Sequence, residues 1–393
     1  MKKLCFAAAA AACFLAPGLA LAGEPGVSGQ IQVAASGNDN IFASNGGEVS
    51  DTVYELSGGV TLKGESEAGF IKAFGTFDLE HYNDVDDENA EDFSLGLKAG
   101  TNFAGGKLTA GASHALNTEA RTDRMARRDT RERTEFTVDS ADVGFSVGLG
   151  GSVRLSGSAD ISAFDYEDGV TRIGGFAVDQ DRRDRTVTSQ SLRLDWSMQD
   201  GVRMFVAVGH GDTDYDLRPP ASPHNRDSSG VSVTAGLSFE IDSTLSGEIG
   251  AGWSGRSFDQ AGFDDASTFV VDADLTWTPD KETTVTFAAS RSFEETTVLG
   301  SPIYVATVVG VTLNRSLTER LDLSLSLSHE WDDHEQVDRE DTATTFDIGL
   351  TAGLTEHVAA GVNYSYASED SDGLFASPGY DVGVVSGFLK LTF

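Results

Sequence analysis

Leu321-Asp322-Leu323-Ser324-Leu325-Ser326-Leu327-Ser328 places four leucines on one face of an extended chain and four polar side chains on the other. A period of two is the mark of a β-strand with one apolar and one polar face. The pattern returns downstream, where Phe346, Ile348, Leu350, Ala352 and Leu354 alternate with Asp347, Gly349, Thr351 and Gly353. It recurs upstream, with Leu192, Leu194, Trp196 and Met198 set against Ser191, Arg193, Asp195 and Ser197. Phe269, Val271, Ala273, Leu275 and Trp277 likewise alternate with Val270, Asp272, Asp274 and Thr276. After the first 22 residues, no stretch shows helical spacing of comparable length.

Short turns separate these segments near Glu65, Gly105, Gly150, Asp200, Asp242, Asp280, Thr318 and Thr355. Successive turns lie about 37 to 50 residues apart, room for one hairpin with a long loop. Eight short turns imply nine hairpins and 18 strands of roughly 10 to 15 residues. Loss of an ill-marked first or middle hairpin would make 16. The expected fold is all-β, a transmembrane antiparallel up-and-down barrel with both termini on the short-turn side. Proline fits this map, since Pro25, Pro219, Pro220, Pro223, Pro279, Pro302 and Pro378 fall in turns, loops or strand starts, where no ladder needs their missing N–H. Tyr54, Tyr82, Tyr166, Tyr215, Tyr304, Tyr364, Tyr366 and Tyr380 lie towards the long-loop ends, and Trp196 and Trp277 beside short turns. That distribution predicts two interfacial girdles. A soluble sandwich would use shorter strands and closer turns, and would have no need of such girdles.

Residues 1–22 read as a leader. Lys2 and Lys3 open it, Ala7 to Leu15 form an apolar run, and Ala20-Leu21-Ala22 is a small-x-small cleavage site, so residues 23–393 form the expected barrel. Both cysteines, Cys5 and Cys13, lie in the leader, which removes disulfides, thiolate metal sites and cysteine nucleophiles from the remainder. Taking Lys2 and Lys3 from 28 basic residues leaves 26 against 62 acidic ones, a net charge near −36. Such a balance argues against a nucleic-acid partner, because phosphate binding depends on clusters of Lys and Arg. Export without an apolar helix long enough to span a bilayer implies that any membrane-spanning part is a barrel.

The second half supplies a family resemblance. Arg291-Ser292-Phe293-Glu294-Glu295-Thr296 precedes a strand, the turn Leu317-Thr318-Glu319-Arg320 and two more hairpins, and the chain closes through Tyr380 and Phe388-Leu389-Lys390-Leu391-Thr392-Phe393. With Asn38-Asp39-Asn40-Ile41 and Ser50-Asp51 near the start, the chain resembles outer-membrane β-barrel porins often associated with exopolysaccharide loci. The resemblance implies a Gram-negative outer-membrane barrel with a porin-like or polymer-export role, and no named solute.

Several residues carry specific expectations. Leu389, Leu391 and Phe393 alternate with Lys390 and Thr392, and this aromatic tail looks like the signal by which the barrel-assembly machinery engages its substrates. Arg121, Arg124, Arg127, Arg128, Arg131 and Arg133 crowd the third long connection, and Arg172, Arg182, Arg183 and Arg185 the fourth. Arginine forks bind carboxylate and phosphate. The plainer reading is a solvated loop whose arginines pair with Asp123, Asp129, Glu132 or lipopolysaccharide phosphates. The sharper reading folds the third loop inward as a constriction facing acidic partners. On the polar face, Lys72, Arg193 and Arg203 mix with Asp195, Asp272, Asp274, Asp322 and Asp347. Acids prevail there, which predicts a weakly cation-selective, water-filled pore for small solutes or an exopolysaccharide. A barrel of this size is too wide for side chains alone to fill. A non-conducting structural or adhesive barrel is the alternative, and a rim-located outer-membrane hydrolase is the third reading.

Catalysis is not expected. His81, His114, His210, His224, His329, His334 and His357 are scattered, without a nucleophile motif or a metal-binding pair. The acids from Asp84 to Asp92 and Asp264-Asp265 read as solvated loop residues, so neither cofactor nor metal is expected. Outer-membrane lipid and lipopolysaccharide are the expected surroundings.

Overall fold

Each alternating segment pairs with its neighbours in sequence. The structure, a computed structural model, describes residues 26–217 and 226–393. The expected leader, Pro25, Pro219, Pro220, Pro223 and His224 lie outside the described residues. The first half of the wall comprises β1 (Gly26–Asn38), β2 (Asp51–Ser66), β3 (Gly69–Tyr82), β4 (Ala90–Phe103), β5 (Gly106–Thr118), β6 (Glu135–Gly150) and β7 (Val153–Tyr166). It continues through β10 (Arg185–Gln199), β11 (Val202–Tyr215), β12 (Ser228–Ile241), β13 (Leu245–Phe258) and β14 (Ala266–Trp277). The last six are β15 (Thr283–Glu295), β16 (Ile303–Thr318), β17 (Leu321–His334), β18 (Arg339–Gly353), β19 (Val358–Gly373) and β20 (Tyr380–Thr392). The two remaining strands, β8 (Gly169–Val170) and β9 (Ala177–Val178), form a small hairpin inside the fourth long loop.

The barrel closes because β1 pairs antiparallel with β20, from Gln30 opposite Thr392 to Asn38 opposite Val384. The resulting sheet has the 18 expected strands. Closure removes the free edges, whose unpaired backbone groups would be costly in lipid. Phe393 extends the seam by exchanging two backbone hydrogen bonds with Gly29, at 2.8 and 3.0 Å. Its ring lies across that glycine: a Cβ on Gly29 would stand 2.5 Å from the ring's Cζ. All eight short turns fall where the sequence places them, and Gly105 turns the chain between β4 and β5 with φ of +81°, a conformation open to glycine.

The two faces sort as the alternation predicts. Leu327, Trp331, Leu192, Leu194, Trp196 and Phe269 stand exposed on the outer wall, as lipid-facing side chains should. Across the pairs, Ser324 meets Asn314, and Ser326 meets both Thr312 and Asp347, on the inner wall. The girdle expectation needs correction. Tyr54 and Tyr364 are outward and exposed, but Tyr82, Tyr166, Tyr215, Tyr304 and Tyr380 are buried on the inner face. All five lie towards the long-loop ends, but their parity turns them inward, where arginines cover four of them and His334 packs on Tyr304.

Burial concentrates at the long-loop end. There Ile41 packs on Val53 and Tyr82, and Ala43 packs on Tyr380 and Val382, so the first loop (39–50) tucks into the mouth. Asn40 pins it, its amide donating to the Ser44 and Asp381 carbonyls at 2.9 Å each. The Asp51 carboxylate holds the second loop by accepting from the Asp84 and Val85 backbone N–H groups.

Candidate site at the barrel mouth

Strands of 12 to 16 residues are longer than the roughly 9–11 that a tilted strand needs to cross a membrane. Their long-loop ends therefore project as a collar, and the arginine-rich loops lie inside it. The third loop (119–134) is anchored first to its own side. Arg121, nearly fully buried, grips Glu88 with both edges of its fork, Nε to Oε2 at 3.0 Å and Nη2 to Oε1 at 2.6 Å. It also donates to the Thr130 hydroxyl and to the carbonyls of Arg127, Thr130 and Arg131, which sets the loop's own shape. Arg133 reaches Glu80 at 2.6 Å and lies over the Tyr82 ring.

The same loop then crosses the opening. Counting round the closed wall, β6 is sixth and β17 fifteenth of 18, so β17 stands nine strands away, half the circumference. Yet Arg124 meets Asp332 of β17 at 3.1 Å and Glu330 at 3.8 Å, as well as Glu369 of β19 at 3.2 Å. Arg128 joins Glu369 at 2.8 Å and stacks on Tyr380, whose hydroxyl donates to the Thr122 carbonyl. Of the three acids that a solvated loop would have used, only Asp129 is so engaged, by Arg127 at 2.9 Å. That contact holds the Asp129 carboxyl below its ordinary range.

The fourth loop (167–184) buttresses the third. A bridge joins Thr130 to Thr171, and the Arg131 and Arg172 backbone N–H groups donate to Val170 and Asp129. Arg183, buried, forks onto Glu119 and lies over the Tyr166 ring, and Arg185 covers Phe164. Asp184 accepts the Tyr166 N–H at 2.7 Å, and burial pushes its carboxyl up to about 6. The second loop departs from the sequence reading too. Glu88 is fully buried rather than solvated, because Arg121 supplies the charge and hydrogen bonds that a carboxylate loses on leaving water. Asp264 and Asp265 are exposed as expected.

Below the mouth the lumen is roomy and polar. Arg193 of β10 joins Asp195 at 2.9 Å and Glu248 of β13 at 2.6 Å, and stacks on Phe205. Arg193, Phe205 and Glu248 border a lumenal space of about 930 Å³ that is also lined by Asp272 of β14. Arg203 lies nearer the short turns, in a recess shared with Glu240 and Glu248. Asp274 pairs across with Glu248, whereas Asp322 and Asp347 stand farther round the wall on β17 and β18. The sequence candidates thus form two groups, a mouth set on the third loop and a lumenal set around Arg193.

The sequence does not single out Glu80, Glu88, Glu119, Glu330, Asp332 and Glu369 as the partners of the mouth arginines. Strand parity could have flagged Glu330 and Asp332, which continue the polar face of Ser324 and Ser326. One triad-like arrangement occurs among the described residues. The Thr296 hydroxyl is 3.5 Å from His334 Nδ1, whose Nε2 is 3.0 Å from Asp341. Thr296 is buried, its hydroxyl accepts the Val298 N–H, and Arg339 neutralises Asp341, so the group clamps the seventh loop (296–302) to β17.

A model of the family described as "Putative beta-barrel porin 2" matches residues 20–391. No curated protein matches the sequence. Among solved structures, OccAB4 of Acinetobacter baumannii superposes with a TM-score of 0.50 at 10% identity, covering 94% of this chain and 98% of that one. OccK3 (OpdO) of Pseudomonas aeruginosa gives 0.48 at 12% identity, with 94% and 96% covered. The FrpB iron transporter of Neisseria meningitidis gives 0.48 at 8%, with 97% and 83% covered. At these identities the likeness concerns the fold alone.

Proposed function

We propose, from the premise that the chain belongs to the beta-barrel porin 2 family, that it conducts small solutes passively through the outer membrane. In this reading the third loop forms the constriction. The observation that carries it is the reach of Arg124 across the mouth to Asp332 and Glu369, with the wide polar lumen beneath. The 18-strand wall leaves an interior that side chains do not fill. A polymer would have to displace the third loop together with its ion pairs, which favours small solutes over exopolysaccharide export. Among the charges fixed below the mouth, Asp195, Glu248, Asp272 and Asp274 outnumber Arg193 and Arg203, which favours cations in transit. The long loops then face the exterior, and Leu389, Leu391 and Phe393 present the outward terminal strand to the assembly machinery.

Planar-bilayer recording on refolded protein tests this reading. Steady conductance with a modest cation preference is expected. Replacing Arg124 by Gln should widen the opening and raise single-channel conductance. Silence in repeated reconstitutions would defeat the channel reading, and an unchanged conductance in the variant would defeat the constriction.

A further inference from the structure

A cavity of about 560 Å³ lies among the first, third, fourth, seventh and ninth loops. Five guanidiniums line it, those of Arg124, Arg127, Arg128, Arg172 and Arg339, against the carboxylates of Asp129 and Glu369. In a chain of net charge −34 this is a local reversal of sign. Carboxylates behind the lining offset part of it: Arg339 meets Asp341 at 2.9 Å, and Arg124 meets Asp332 and Glu330. Pairing is nonetheless uneven, because Arg124 engages both Asp332 and Glu330 while another guanidinium of the lining has no carboxylate of the described residues within salt-bridge distance. Arg124 and Arg128 converge on the same Glu369 oxygen, at 3.2 and 2.8 Å. The carboxylate-free member is Arg172, whose Nη2 donates to the Arg128 carbonyl at 2.6 Å while its guanidinium lies 3.6 Å from the Phe42 ring centroid. Burial, and then the nearby charge of Arg121, push the Arg172 guanidinium below its ordinary value, a cost that a bound anion would relieve.

We infer that this cavity binds a small organic oxyanion, with its carboxylate or phosphate held by Arg172 and Arg127 and its apolar body against Phe42, Leu299 and Phe375. The volume suits a small molecule. Guanidinium forks match both oxyanions, and a mixed wall of arginine and phenylalanine selects an anion with an apolar part over a bare ion. The inference adds a ligand class to the mouth of the proposed channel, but binding can be measured without conduction.

Isothermal titration of the refolded full chain in detergent micelles provides the test, with benzoate, phenyl phosphate, inorganic phosphate and neutral benzamide as probes. Saturable one-to-one binding of benzoate or phenyl phosphate is expected, and the tighter of the two identifies the head group. Benzamide should not bind, and inorganic phosphate should bind at least about tenfold more weakly than phenyl phosphate. Arg172→Gln should weaken binding by about tenfold or more, and Arg127→Gln, on a partly exposed side chain, should weaken it in the same direction. Arg154→Gln, in the lumen near the short turns, should leave it unchanged. Absence of saturable binding, equal binding of benzamide, or affinity untouched in both mouth variants would overturn the site. Inorganic phosphate binding as tightly as phenyl phosphate would overturn the organic ligand. Binding retained in a protein that never conducts would refute the channel and leave the site standing.

Discussion

Arg121→Met removes the inner anchor of the third loop. The wild-type pair is a two-bond fork between side chains that are almost wholly out of water. Removing one partner of such a pair leaves an uncompensated buried charge and costs about 3–5 kcal/mol. Glu88 would keep only the surroundings given by Arg133, which donates to its carbonyl rather than its carboxylate. The loss also removes three carbonyl contacts that fold residues 121–131 on themselves. Since about 3 kcal/mol corresponds to roughly 150-fold in an equilibrium, amide exchange across residues 119–134 should accelerate by up to that factor. The β-strands, held by their own ladders, should keep their protection. Bilayer recordings of the variant should show higher and noisier conductance as the loop leaves the mouth. The double variant Arg121→Met with Glu88→Leu replaces the ion pair by an apolar one and should regain most of the protection. If loop exchange and conductance both match wild type in the single variant, the loop is not held by this pair and the reasoning fails.

Three further outcomes follow from the same geometry. Arg193→Gln leaves Asp195 and Glu248 without their shared cation, so the reversal potential in a salt gradient should shift towards stronger cation preference; a shift towards anions would contradict the lumenal reading. Leu327→Arg on the lipid face should cost about 2–4 kcal/mol in urea titrations of liposome-folded protein, whereas Ser326→Arg, one residue away on the lumenal face, should cost far less; equal costs would mean the faces are misassigned. Burial lifts Asp184 in the folded state, so native protein binds its proton more tightly than unfolded chain does. That contribution to stability is present at pH below about 4 and is lost as pH rises through about 6. Asp184→Asn, which keeps an oxygen for the Tyr166 N–H, should therefore slow exchange in the fourth loop at pH 7.5 and change little at pH 4, and the reverse order would refute the assignment.

By itself, the sequence determined the wall. A repeat of two decides which side chains share a face, so Leu321 to Ser328 already separates lipid from lumen. Turn residues at regular spacing decide the strand count, because each turn must reverse the chain. Both are local properties, and the paired registers agree with them strand by strand. The mouth was decided only by tertiary structure. Nine arginines in the third and fourth loops, with Arg185 at the start of β10, announced a charged surface, but whether water or a carboxylate faces each depends on which strands stand opposite. Arg124 and Asp332 are remote in sequence and meet only because closure sets their strands half a circumference apart. Glu88 stands in an acidic run that reads as solvated, and it is buried because one guanidinium arrives from another loop. The five inward tyrosines make the same point. Their depth followed from position along the strand, but their role as stacking platforms for Arg128, Arg133 and Arg183, among others, arose only once the loops folded back into the collar.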